Sequence, residues 1–506
     1  MKAIPVYKNI LANYAGAVVT TLIAFFLTPV YISYIGVSSY GVIAFYVSLQ
    51  ALFSFLDLGI GMSVNREMAS HYHDEKQTTY LRTLTHSLQV IYWGIGIGIG
   101  LLLLIASPYL AKGWFSGSDI PVQTVSYVFI ILAFTLAARW PYGLYSSGLR
   151  GMQHQVVLNG FEIFWNLSKS VGSWLVLKYI SPTITAFLWY QLIITFLQTS
   201  GIFFLLWNYL PARNHPLKFD LLVLRNISRY AGGMGISAIM ASLLAQLDKI
   251  VVSKMVSNTV FGYYSIANNI AMLVFSVSLP IFIAILPYFT KEVKEGNTNK
   301  LIIDFHYYAK LLSTLLLPFG IIIICNAKVV LLLWMKNEII AEKSALILQW
   351  LMAGTLCNAL MMPVHTLLLA KARIRFMLYS QVIELTCMIP LIWFLVDRFG
   401  VSGGAMGVFV LFCGYLLIQA PMIFRVTNFK QLIFNWYFKD ILVFLIPLVL
   451  IATLFQKYIY TYFTESHFPI LVYLAIVFMA SYGISIAMNK DLIKKISSKI
   501  KIAIKK

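Results

Sequence analysis

Acidic residues are scarce in this chain. Its 506 residues hold 18 Asp and Glu against 38 Lys and Arg, and charged residues of both signs make up only 11%. Soluble domains carry about a quarter of their residues as charges, so a water-soluble globule is excluded. Cysteine is equally sparse. Cys325, Cys357, Cys387 and Cys413 stand singly in apolar runs, and without a CxxC spacing they predict neither disulfides nor a metal site. Long hydrophilic stretches are missing as well: the longest, Arg66 to His86 and Pro211 to Arg229, are loop-sized and leave no room for a soluble domain. No nucleotide-binding loop is present. Gly94, Gly96, Gly98 and Gly100 alternate with Ile inside an apolar run, with no strand before them and no phosphate-binding Lys after, which predicts close helix packing. The short His71-Tyr72-His73-Asp74 segment reads as a hydrated loop. No cofactor and no metal are expected.

What remains is apolar. With 60% hydrophobic residues and a mean hydropathy of +0.81, the chain is expected to be all-α and polytopic, because a helix satisfies its own backbone groups in lipid. Fourteen apolar runs of span length lie near 10–34, 40–64, 84–107, 119–147, 155–177, 183–208, 229–253, 260–289, 306–326, 340–368, 376–396, 402–424, 440–461 and 468–488. No small-residue cleavage site follows the first, which therefore reads as a span rather than a leader. Most of the 38 Lys and Arg fall in the N-terminus, the even-numbered breaks and the C-terminus, and few fall in the odd-numbered breaks. By the positive-inside rule both termini are cytoplasmic. Membrane topology also accounts for the net charge of +20 without nucleic acid. The tail after Asn489 reads as a basic strip on the anionic leaflet. Trp114, Tyr179 and Trp436 read as interfacial anchors.

An internal repeat relates spans one to six to spans seven to twelve. Lys8-Asn9-Ile10 with Tyr14-Ala15-Gly16 returns as Arg225-Asn226-Ile227 with Tyr230-Ala231-Gly232, and Ser38 to Gly41 returns as Asn258 to Gly262. Arg66-Glu67 pairs with Lys291-Glu292, and Leu149-Arg150-Gly151 with Glu162 pairs with Ala370-Lys371-Ala372 with Glu384. Six spans per half start both halves on one side of the membrane, so the repeat is parallel, with a cavity between two six-helix lobes. The expected division is 1–208 and 229–424 for the lobes, joined by a cytoplasmic linker over 209–228, then two further spans in 425–488 and a basic tail over 489–506.

Charged residues inside such runs are costly, on the order of 3 kcal/mol near a bilayer centre, and face protein or a wet cavity. Asp57 lies nine residues before Arg66, roughly 14 Å along a helix. Arg139 lies eleven residues before Arg150, about 16 Å into the membrane on the same reckoning. Glu162 and Lys169, seven residues apart, share one helical face. Two readings stand for this group: an ion pair that holds the amino-terminal lobe together, or a cationic patch of Arg139 and Lys169 for a diphosphate. Glu162, Glu384, Asp57 and Asp248 are the candidates for ion coupling, since buried acids can carry protons; Asp248 also stands next to Lys249 and can pair locally. Prolines within the runs, among them Pro141 and Pro363, are expected to bend or break their spans.

Tyr40-Gly41, the long apolar run after it, Leu56-Asp57-Leu58-Gly59-Ile60-Gly61 and the following Arg66 resemble the second helix of bacterial polysaccharide flippases. The loop Leu149-Arg150-Gly151-Met152-Gln153-His154 through Asn159 resembles that family too. These are the Wzx-type exporters of lipid-linked oligosaccharides, within the superfamily that also holds multidrug and toxin extrusion transporters. The resemblance implies alternating access in the bacterial inner membrane, a cargo of isoprenoid-diphosphate-linked oligosaccharide, and contacts with membrane lipids and other polysaccharide assembly proteins. It adds Arg66 to the cationic set. A multidrug or cation antiporter of the same superfamily would show an acidic or aromatic cavity. A membrane-embedded polymerase would need a large periplasmic loop with catalytic groups, longer than the break near 327–339.

Overall fold

The computed structural model describes residues 6–53, 60–72, 74, 77–114, 121–210, 219–458, 476–483, 485 and 486. Among them every regular element is helical. Among the described residues nine helices are long and apolar enough to cross a membrane. Asp57, residues 211–218 and the basic tail lie outside the described residues. The chain forms two compact units, Met1–Gly262 and Tyr263–Lys506.

The first unit holds α1 (Val6–Phe53), α2 (Ile60–His71), α3 (Thr78–Trp114), α4 (Val122–Arg139), α5 (Tyr142–Gly151), α6 (Gln155–Tyr179), α7 (Ile184–Tyr209) and α8 (Leu221–Met255). Its α1 is two helices end to end, since Gly36 takes φ 77 and ψ 165, values that glycine adopts without the Cβ penalty. This is the expected break between the first two runs. Glycine also sets how closely α3 packs on α4. A Cβ on Gly96 would lie 2.9 Å from the Ala137 carbonyl oxygen, and one on Gly100 would lie 3.2 Å from that of Ala133, whereas Gly94 and Gly98 meet nothing. Two of the four alternating glycines thus form the packing face.

Gly41 and Gly262, paired by the sequence repeat, pack on each other's segments. A Cβ on Gly41 would sit 2.1 Å from the Asn258 carbonyl oxygen, and one on Gly262 would sit 2.5 Å from that of Val37. Backbone cannot yield as a side-chain tip can, so Gly41→Ala is expected to cost about 1–3 kcal/mol or more. The measurement is folded protein recovered from membranes, and normal yield with an unshifted melting point would refute the contact.

The second unit starts within α9 (Asn258–Ala271) and continues through α10 (Leu273–Lys294), α11 (Thr298–Cys325), α12 (Ala327–Met335), α13 (Glu338–Leu360), α14 (Met362–Ala370), α15 (Ile374–Phe399), α16 (Val401–Gly414), a π-helical turn at Tyr415–Gln419, α17 (Ala420–Val426), α18 (Leu432–Asn435), a second π turn at Trp436–Leu442, and α19 (Val443–Tyr458). Its core gathers Phe289, Phe305, Leu367, Phe424 and Trp436. Trp436 is fully buried, its ring centroid 5.5 Å from that of Phe424, which corrects its reading as an interfacial anchor. Trp114, in the first unit, is also packed, donating from Nε1 to Ser253 Oγ at 3.1 Å. Tyr179 is 71% exposed.

One turn recurs at helix ends. After α5, the N–H of Gln153 bonds to the Arg150 carbonyl and that of His154 to the Leu149 carbonyl; after α14, Ala372 and Arg373 bond likewise to Leu369 and Leu368. The turn after α17 repeats the pattern through Asn428 and Phe429. Gln153, Ala372 and Asn428 take the left-handed conformation, with φ of 63, 51 and 64, as this helix ending requires. These turns fix the register of the repeat. His154 corresponds to Arg373, so Glu162, eight residues on, corresponds to Gln381, and Glu384 lies one turn further along its helix. The pairing of Glu162 with Glu384 is therefore out of register.

Candidate functional site

Span four is broken just after its cation, Arg139. Pro141 lacks the N–H that would continue the helix, so α4 ends at Arg139 and α5 begins at Tyr142. The corresponding span breaks in the same place: α13 ends at Leu360, and α14 starts at Met362 with Pro363 in its first turn. Paired interruptions at matching positions mark the substrate region in transporters built from repeats.

Arg139 occupies the last turn of α4, where a cation suits the helix dipole. Its side chain is exposed, and that of Lys169 on α6 is half-buried. Arg139 and Lys169 lie within electrostatic range of one another, and Arg139 also acts on Tyr46 and Tyr142. Tyr46 is buried and bonded to Gln50 and Thr135. Around Lys169 the backbone of α6 is held from two sides. Tyr31 on α1 donates to the Ser170 carbonyl at 2.7 Å, and Tyr190 on α7 donates to the Ser168 carbonyl at 2.9 Å. Tyr190 fits only because position 172 is glycine. Tyr31, Tyr46, Thr135 and Tyr190 carry no charge and no motif, so sequence reasoning missed them.

Among the described residues no carboxylate lies within ion-pair distance of Arg139 or Lys169. Glu162 is engaged elsewhere. Its Oε1 accepts from Arg150 at 3.3 Å and from Tyr142 at 3.2 Å, which ties α5 to α6 and leaves Arg139 and Glu162, one of the two readings of this group, unpaired with each other. Arg66, at 48% side-chain exposure, bonds Glu67 at 2.9 Å; Glu67 also accepts from Tyr80 and faces His71. Asp248 is paired with Lys249 at 3.3 Å, the local pairing its sequence position suggested. Tyr72 meets His154 at 3.2 Å, and His154 stacks on Tyr209 at 3.9 Å between centroids. Burial holds the His154 imidazole below its ordinary pKa.

The second unit holds Glu384 in a polar chain of its own. Its Oε2 accepts from Tyr415 at 2.8 Å and its Oε1 from the Gln419 amide at 2.7 Å. The Gln419 carbonyl then accepts from His365 Nε2 at 3.0 Å. Tyr415 and Gln419 are the two ends of the first π turn, a rare element often found at functional sites.

Residues 6–292, more than half of the chain, match the polysaccharide biosynthesis protein family. The chain belongs to that family. Residues 234–394 also match the MatE family. The putative O-antigen transporter of Shigella flexneri is 24% identical over 419 residues, 79% of this chain and 93% of that protein. The lipopolysaccharide biosynthesis protein WzxC of Escherichia coli (strain K12) is 24% identical over 346 residues, 66% of this chain and 64% of that one. Among solved structures, the lipid II flippase MurJ in an inward closed conformation aligns with a TM-score of 0.71 at 14% identity, covering 96% of this chain and 100% of that one. An inward-facing MATE family multidrug transporter aligns with a TM-score of 0.60 at 14% identity, covering 85% and 95%. The fold is that of the MurJ and MATE transporters. With nine span-length apolar helices among the described residues, the chain is a multi-pass membrane protein.

Proposed function

We propose that this protein is a flippase that carries an isoprenoid-diphosphate-linked oligosaccharide from the cytoplasmic to the periplasmic leaflet of a bacterial inner membrane. Alternating access of two six-helix lobes, with both termini cytoplasmic, moves the headgroup. The observation that carries this reading is that Arg139 and Lys169 lie within electrostatic range of each other at the break of span four, with no carboxylate partner among the described residues. Two neighbouring cations raise each other's energy, and a diphosphate relieves that repulsion by supplying the missing charge. Arg139 offers a planar fork for two phosphate oxygens, and Lys169 a mobile point charge. Arg66, midway along α2, stands as an entry contact outside this pair. The names of the curated relatives agree with a polysaccharide cargo.

Coupling to an ion gradient, on this reading, belongs to Glu384. Glu162 and Asp248 are held in pairs with Arg150 and Lys249, and Asp57 remains a candidate by sequence. A cation antiporter, the rival suggested by the MATE-like fold, would need an unpaired acid where Arg139 and Lys169 stand. Deleting the gene in its host tests the reading. Surface polysaccharide should disappear and the lipid-linked unit accumulate on the cytoplasmic leaflet, with sensitivity to cationic dyes unchanged. Normal polysaccharide with raised dye sensitivity would instead establish the antiporter.

A further inference from the structure

The two turns that follow α14 and α17 carry Lys371, Arg373, Arg375, Arg425 and Lys430. They are neighbours, since Lys371 Nζ lies 5.1 Å over the ring of Phe429. All but Lys371 are exposed. Among the described residues no carboxylate pairs with any of the five. The matching turn of the first half is different. There Arg150 is neutralised by Glu162 and His154 is stacked on Tyr209. The same backbone geometry is thus closed off in one half and left as a field of positive charge in the other.

Helix stability does not explain these cations. Arg373 and Arg375 stand at the start of α15, where the dipole disfavours positive charge. Along both helices leading away from the turns, apolar side chains are exposed: Tyr379 at 70% and Ile383 at 63% on α15, and Met422 at 46%, Ile418 at 65% and Leu417 at 66% on the strip preceding Arg425. Tyr379 and Ile383 lie one and two helical turns from Arg375, and Met422 and Ile418 lie one and two from Arg425. Charge at the membrane surface with apolar walls running inward has the shape of a phospholipid. A soluble acidic protein would use the charges and leave the walls without a role.

We propose that this pair of turns is a binding site for the headgroup of an anionic phospholipid, whose acyl chains lie along α15 and α17. The site is separate from the Arg139–Lys169 pair and does not depend on the cargo assigned there. The test uses the full chain, delipidated in mild detergent and titrated with phosphatidylglycerol or phosphatidylcholine under native mass spectrometry. Wild type should retain phosphatidylglycerol preferentially, and R373Q/R375Q/R425Q/K430Q should lose roughly tenfold in that affinity and none for phosphatidylcholine. R373K/R375K/R425K should keep the preference, which separates charge from folding. The tail variant K494Q/K495Q/K499Q/K501Q should change it by less than about twofold. Equal retention of the two lipids by wild type, an equal loss in the tail variant, or complete displacement of phosphatidylglycerol by inorganic pyrophosphate would each overturn the proposal.

Discussion

Arg139→Ala is expected to cut export of the lipid-linked oligosaccharide by about ten- to a hundredfold, the value of one charged hydrogen bond of about 1.5–3 kcal/mol. Membrane abundance should hold, because the residue makes no ion pair with any described carboxylate and its side chain is exposed. Its contribution to α4 is a helix-end charge worth about 0.3–1 kcal/mol. Arg139→Lys should rescue only partly, since an ammonium cannot present the two-pronged face of a guanidinium. Lys169→Ala should be similarly defective. A structural role makes another forecast, in which Arg139→Ala loses folded protein and Glu162→Gln restores it. The geometry argues against that rescue, for Glu162 is held by Arg150 and Tyr142. Abundance and export measured on the same membranes separate the two.

Glu384→Gln should abolish gradient-driven transport and spare insertion. The substitution keeps the size and shape of the side chain beside Tyr415 and Gln419 and removes the carboxylate that can take up and release a proton. Glu162→Gln should leave the gradient dependence intact and weaken only the link from α5 to α6. The readout is uptake into proteoliposomes with and without an imposed proton gradient. Full gradient response in Glu384→Gln, or its loss in Glu162→Gln, would move the coupling group elsewhere.

Much of this arrangement is legible in the sequence, because lipid imposes simple rules. The break at Gly36, the interrupted spans at Pro141 and Pro363 and the glycine packing face all follow from residues with few conformational options. The long helices α6, α8 and α15 are less apolar than the nine that are long and apolar enough to span. They are the ones that carry Glu162 with Lys169, Asp248 with Lys249, and Glu384, and the same polarity that singles out a functional helix weakens its hydropathic signal. Partner choice was not legible. Nothing in spacing says that Glu162 turns to Arg150 rather than to Arg139, or that Glu384 is met by Tyr415 and Gln419 from a π turn, since these depend on how separate helices rotate against each other. The interfacial role expected of Trp436 failed for a related reason: a Trp at the end of an apolar run suits an interface and a core equally, and only packing against Phe424 decides it.

The most direct test of the central claim is binding of undecaprenyl diphosphate to the purified full-length protein, with undecaprenol as the uncharged reference. The account predicts that wild type prefers the diphosphate, that Arg139→Ala and Lys169→Ala each reduce that preference by about tenfold or more, and that undecaprenol binds all three alike. Equal preference for the diphosphate in wild type and in the R139A/K169A double variant would contradict it.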